Sequence, residues 1–109
     1  MKIISIIAIT LFAASATSLR AADASALWAT NCAQCHGKTG NADTKMGKTL
    51  SAKDLTDAKN QAAFTDEQAF KTIKEGKKDK EDKILMKPIE GATDDEIKAL
   101  VTYVRTFKK

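Results

Sequence analysis

Both cysteines and the only histidine of this chain lie in one run of five residues, C-A-Q-C-H, at positions 32–36. C-x-x-C-H is the attachment signature of a c-type haem. On a helical turn, residues three apart project from the same side, so Cys32 and Cys35 can each form a thioether with one haem vinyl group. His36 follows and can bind the iron as the proximal imidazole. The run therefore predicts one covalently bound haem c, attached through Cys32 and Cys35 and ligated by His36.

Three other uses of these cysteines fit the sequence less well. A disulfide between Cys32 and Cys35 would close a short loop and leave His36 without a role. A thioredoxin-like redox pair needs a neighbouring βαβ pattern, and none is visible. A structural zinc site normally takes four Cys or His ligands, whereas the chain has three such residues in total. Haem attachment is the strongest interpretation.

The N-terminal residues resemble an export signal rather than part of the fold. A positive residue, Lys2, precedes an apolar stretch over residues 3–14, which has the length of a signal-peptide core and is short for a membrane span of about 20 residues. Small residues offer cleavage after Ala16 or after Ala22, and cleavage after Ala22 is favoured. We therefore expect residues 1–22 to be a cleaved signal peptide, so that the protein is periplasmic and not inserted in a membrane.

Length and composition indicate one small helical domain. The chain has 109 residues, one proline and five glycines, and no segment alternates with period two. Residues 74–83 mix positive and negative charges and are typical of a solvated loop. Without residues 1–22 the net charge falls from +4 to +2, which argues against nucleic-acid binding. A hydrophobic core of this size rarely stabilises a domain without a disulfide, a metal or a cofactor, and a covalently bound haem would supply that stabilisation.

Helices are predicted at both ends of residues 23–109. Asp23 can cap a first helix that runs to about Cys35. Thr93 and Glu96 have the spacing of a capping box, which starts a last helix. Its apolar residues recur with helical periodicity, at Ile97, Leu100, Val101, Val104 and Phe107.

A third helix is predicted in the middle of the chain. Thr65 and Gln68 form a second capping box, and Gly76 is a suitable C-terminal stop. A shorter helical turn is expected at 54–59, with Ser51 as its cap. The fold class is therefore all-α.

Residues 27–37, including Trp28 four positions before Cys32, resemble the N-terminal helix and haem site of small class I mono-haem cytochromes c. Residues 93–105 are similar to their C-terminal helix. Residues 85–89, L-M-K-P-I, are similar to the loop that supplies the methionine ligand. The resemblance covers residues 23–109 and implies the cytochrome c fold, in which the N- and C-terminal helices cross around one haem.

The resemblance implies a methionine as the sixth iron ligand, and Met46 and Met86 compete for that role. Met46 lies only ten residues after His36, so its short loop tends to stay on the proximal side. Met86 lies fifty residues after His36, which allows the chain to wrap to the other face, and Pro88 and Gly91 help to fix its loop. Met86 is therefore the predicted second axial ligand, and Met46 is predicted to fill a gap beside the haem.

The chain departs from the family pattern at one point. Many members have a proline after the haem loop whose carbonyl accepts a hydrogen bond from the proximal histidine, whereas the only proline here is Pro88. A backbone carbonyl within 46–49 is left as the candidate acceptor for His36.

His/Met ligation leaves no open position for a substrate, which predicts a carrier of single electrons between redox proteins, not an enzyme. We expect the carrier to be a monomer. The alternative is a ligand-binding or peroxidatic haem protein with an open or labile sixth site. A dedicated subunit of one partner enzyme is equally compatible with the sequence. Four lysines in loops expected near the haem edge suggest a weak docking patch for an acidic partner, namely Lys45, Lys48, Lys83 and Lys87.

Overall fold

A computed structural model describes residues 21–109. Helices account for most of the regular structure, and one two-stranded antiparallel sheet is added to them. In chain order the elements are α1 (Ala21–Asn31), α2 (Ala33–His36), α3 (Lys45–Thr49), α4 (Ala58–Ala62), α5 (Asp66–Glu75), β1 (Lys77–Lys78), β2 (Ile84–Met86) and α6 (Asp94–Arg105). The predicted signal peptide, residues 1–22, lies outside the described residues except for its last two positions.

The first and last helices pack against each other and form the centre of the core. Trp28 of α1 is 4% exposed, and its ring lies 6.0 Å from Tyr103 and 4.9 Å from Phe107, measured between centroids. The inward face of α6 is fully apolar, as its helical periodicity predicts, and buries Ile97, Leu100, Val101 and Val104. The pairing of terminal helices that the sequence predicts is thus confirmed.

Both predicted capping boxes are present. Thr65 and Gln68 exchange side-chain and backbone hydrogen bonds at the start of α5, and Thr93 and Glu96 do the same at the start of α6. Gly76 ends α5 with a φ of 79°, a conformation that glycine adopts without steric cost. Such local signals act within four residues, which is why the sequence alone locates these helix ends.

Two predictions about helix starts are wrong. Asp23 does not cap α1, because it lies inside that helix in its first described turn. The helical turn expected at 54–59 is instead α4, which begins after Asp57. The Asp57 side chain accepts a hydrogen bond from Lys59 N, whereas Ser51 has a φ of 57° and caps nothing. An aspartate before a helix is as good a cap as a serine, so the sequence offered several equivalent starts.

The sheet was not predicted. Strands β1 and β2 pair antiparallel, with Lys77 opposite Met86 and Lys78 opposite Ile84. Strands of two and three residues are too short to show a period of two, so the charged stretch resembles a loop. The expectation that residues 74–83 form one solvated loop is therefore wrong in part: α5 continues to Glu75 and β1 follows.

Candidate functional site

The C-x-x-C-H run occupies the junction of α1 and α2. Cys32 lies between the two helices with a φ of −122°, yet the hydrogen bonds continue across it. Cys32 N donates to Trp28 O at 2.9 Å, and His36 N donates to Cys32 O at 3.0 Å. The helical path therefore continues through the motif. Cys32 and Cys35 are both free thiols, so the disulfide alternative is not realised.

An apolar cavity opens beside this motif. Its volume is about 160 Å³. Cys32, His36 and Met86 all line it. Trp28, which belongs to the segment that resembles a cytochrome c haem site, lines it too. The other lining residues are not recognisable from sequence as site residues, and four of them come from α5; they are Leu55, Phe64, Gln68, Ala69, Thr72, Ile73, Leu100 and Val104.

Burial sets the protonation states of the motif. Burial, and to a smaller extent the neighbouring Cys35, raises the pKa of the Cys32 thiol to about 11. Burial also lowers the pKa of His36, which keeps the imidazole neutral at pH 7. A neutral imidazole retains the lone pair that a metal ligand needs.

Helix α3 was not predicted from the sequence. Its N-terminal end contacts the backbone carbonyl of Cys35 in the C-x-x-C-H motif. The Thr44 hydroxyl donates to Cys35 O at 2.6 Å and accepts from Gly47 N at 2.8 Å. Gly47 is buried and packs so closely on the Cys35 carbonyl that a Cβ atom would clash. A five-residue helix with an internal glycine has a weak sequence signal, and its formation depends on this contact.

The predicted acceptor for the histidine is absent among the described residues. His36 Nδ1 is buried and has no hydrogen-bond partner in residues 21–109. Two of the carbonyls in 46–49 accept from backbone amides: Leu50 N donates to Met46 O at 2.9 Å, and Ala52 N donates to Gly47 O at 2.8 Å. The expectation that a carbonyl of 46–49 accepts from His36 is therefore wrong.

The two methionines lie in different environments. Met86 ends strand β2, is half-buried and lines the same cavity as His36. Met46 belongs to α3, is 39% exposed and does not line the cavity. The structure brings Cys32, His36 and Met86 to one cavity, whereas neither Cys35 nor Met46 lines it.

This donor set fits a haem. An apolar cavity suits the porphyrin, two free thiols at C-x-x-C spacing suit its vinyl groups, and a neutral imidazole with a thioether suits its iron. By contrast, the described residues contain no group of three or more His, Cys, Asp or Glu side chains that could hold a lone metal ion. None of the helices within residues 21–109 is long and apolar enough to cross a membrane.

The helical fold and the haem-binding motif together define a mono-haem c-type cytochrome. A family model described as cytochrome c oxidase, cbb3-type, subunit III matches residues 19–104. The chain belongs to this cytochrome c family. Membership implies covalently bound haem c and supports a haem-binding electron-carrier role.

Solved structures agree with this assignment. A c-type cytochrome named KustC0563 is 40% identical, with a TM-score of 0.69 over 80% of this chain and 99% of that chain. A point mutant of the same protein is 39% identical, with a TM-score of 0.66 over 79% and 99% of the two chains. Comparison with curated proteins finds no match.

Proposed function

We propose that this protein is a periplasmic carrier that passes single electrons between redox proteins, with His36 and Met86 as the axial ligands of one haem iron. Cys32 and Cys35 form the thioethers. Residues 23–109 constitute the mature domain after removal of the signal peptide. The observation that carries this proposal is that His36 and Met86 line one apolar cavity while Met46 is outside it.

The bound haem supplies one-electron chemistry, and the chain's own residues limit it to that chemistry. Two protein ligands leave no iron position for a substrate, and Met/His ligation raises the reduction potential. The surface of the cavity is largely apolar. The cavity lining includes no Asp, Glu or Lys, so no carboxylate or amine lies there to move a proton for a substrate.

The four lysines proposed as a docking patch are all exposed. Lys45 and Lys48 are on α3, and Lys83 and Lys87 flank strand β2. Lys48 forms an ion pair with Asp43 at 3.0 Å, with both side chains at least 70% exposed, and such a pair is worth little. The lysines therefore remain available to an acidic redox partner. Electrostatic attraction of this kind weakens with salt, so the rate of electron transfer to such a partner should fall as ionic strength rises.

Carbon monoxide tests the ligation. The purified holoprotein is reduced and its absorption spectrum is recorded before and after addition of the gas. We expect an unchanged spectrum, because Met86 holds the sixth position. Rapid carbon monoxide binding would refute the carrier proposal and support a ligand-binding or peroxidatic haem protein.

The cleavage site is tested by the mass of the exported protein, which should begin at Asp23.

A further inference from the structure

We propose that Trp28 is a positioning residue that fixes the plane of the His36 imidazole, in the role that a hydrogen bond from the second ring nitrogen usually fills. This inference rests on the proposed ligation of iron by His36. Metal-bound histidines almost always donate their other N–H to a carboxylate, a carbonyl or water, which fixes the ring orientation. Here His36 Nδ1 is buried and has no such partner in residues 21–109.

Trp28 contacts His36 directly. The two ring centroids are 5.5 Å apart with an angle of 40° between the ring planes, within the 4.5–7 Å range of favourable aromatic pairs. Trp28 is 4% exposed, so its own rotation is blocked by the core. A fixed ring in contact with the imidazole restricts imidazole rotation by steric contact, which is the function of the missing hydrogen bond.

Trp28 also holds the backbone that follows the histidine. Its indole Nε1 donates to Gly37 O at 3.0 Å in a buried hydrogen bond. Gly37 has a φ of 82°, and a Cβ there would lie 2.8 Å from Asn41 Oδ1. The chain therefore turns sharply just after His36, and the indole N–H secures that turn. One side chain thus fixes both the His36 ring and the adjacent peptide.

The rest of the aromatic cluster supports Trp28 without reaching the histidine. Phe107 contacts Trp28 at 4.9 Å and Tyr103 at 5.0 Å, and Tyr103 contacts Trp28 at 6.0 Å. Neither Phe107 nor Tyr103 forms a ring contact with His36. Phe107 is therefore a matched control: it belongs to the same cluster and packs on the same indole, but its ring does not contact the imidazole, and its other close neighbour is Gly40 in the loop after the motif.

The experiment compares the oxidised holoproteins W28F, W28L and F107L with the wild type by proton NMR. The shifts of the haem methyl groups report the orientation of the axial imidazole, because that orientation distributes the unpaired electron over the porphyrin. We expect W28F to alter the methyl pattern, since it removes the bond to Gly37. W28L should alter it more, since it also removes the ring contact. F107L should lower the unfolding midpoint and keep the wild-type pattern.

Two results would overturn the proposal. One is a wild-type methyl pattern in both Trp28 variants. The other is a change in F107L equal to that in W28L, which would show that Trp28 acts only through general packing. If W28L fails to fold, W28F decides through the loss of the bond to Gly37 O: a changed methyl pattern supports the proposal, and a wild-type pattern overturns it. A wild-type protein whose spectrum lacks His/Met ligation would instead refute the proposed function, so the two failures are distinguishable.

Discussion

Gly76 lies directly against the backbone of Met86. A Cβ atom on Gly76 would be 2.6 Å from Met86 O and 2.9 Å from Cδ of Pro88. Next to this contact, Ile89 N donates to Ile73 O at 3.0 Å. The end of α5 therefore holds the segment that brings Met86 to the cavity.

Replacing Gly76 by alanine should disturb the methionine, whereas the same change at Gly91 should not. Both glycines have a positive φ, 79° and 71°, so each variant incurs backbone strain; at Gly76, where ψ is −175°, the conformation is essentially restricted to glycine and costs other residues about 1–3 kcal/mol. Only Gly76 is crowded, and overpacking adds about 1–3 kcal/mol. We expect G76A to lose more free energy of unfolding in urea and to weaken the iron–sulfur absorption of the oxidised protein. Equal losses with unchanged spectra would contradict the role of this contact.

The methionine variants should behave in opposite ways. M86A should lose the long-wavelength iron–sulfur absorption, bind carbon monoxide when reduced and have a lower potential, because Met/His ligation raises the potential. M46A should keep the wild-type absorption, the wild-type potential and the resistance to carbon monoxide, since Met46 is 39% exposed and outside the cavity. Absorption spectroscopy and a redox titration check both variants, and the reverse result would assign the ligand to Met46.

Arg105 should contribute more to stability than its ion pair suggests. Its guanidinium donates to Asp66 at 2.8 Å, but also to Gln61 Oε1 at 2.9 Å and to Phe64 O at 2.8 Å. It lies 4.3 Å from the centre of the Phe64 ring, which lines the cavity.

R105A should therefore cost about 2–3 kcal/mol in the free energy of unfolding, because hydrogen bonds to charged groups are worth about 1.5–3 kcal/mol. D66A removes only an ion pair with a 71% exposed carboxylate and should cost less than about 1 kcal/mol. Urea denaturation of the two holoproteins measures the difference. Similar losses would show that the ion pair, not the carbonyl contacts, carries the effect.

Asp54 should make the free energy of unfolding depend on pH in the acidic range. Hydrogen bonds from the Thr56 hydroxyl at 2.6 Å and from Thr56 N at 2.8 Å hold the pKa of Asp54 below its ordinary value of 3.8. The unfolded chain then takes up a proton at a higher pH than the folded one, so this contribution is present above 3.8 and is lost as pH falls through the folded pKa. D54N should flatten that loss in urea midpoints measured over acidic pH. As a control, T56V should raise the Asp54 pKa, observed by NMR, towards 3.8; an unchanged pKa would refute the cause.

Signals contained within a few residues were readable from the sequence. The C-x-x-C-H run needs only the spacing of Cys32, Cys35 and His36 to define a haem site. The capping boxes at Thr65 and Thr93 are closed within one turn, and the apolar periodicity of 97–104 identifies the buried face of the last helix.

The walls of the cavity and the support of His36 depend on residues distant in sequence. Phe64 and Leu100 line the same cavity as Cys32, but no local pattern relates them. Helix α3 packs on the Cys35 carbonyl through Gly47, and such tertiary contact is needed because a five-residue helix cannot be stable by propensity alone.

The environment of the histidine was likewise decided by tertiary structure. The sequence shows that the usual proline is missing, and from this we expected a replacement carbonyl. In the fold, His36 Nδ1 has no hydrogen-bond partner within residues 21–109, and Met46 O and Gly47 O accept from backbone amides. The Trp28 ring contacts His36 instead. The C-x-x-C-H motif can be read from the sequence because its residues are neighbours in the chain. The contacts of the His36 side chain depend on segments that are distant in the sequence, so only the tertiary structure determines them.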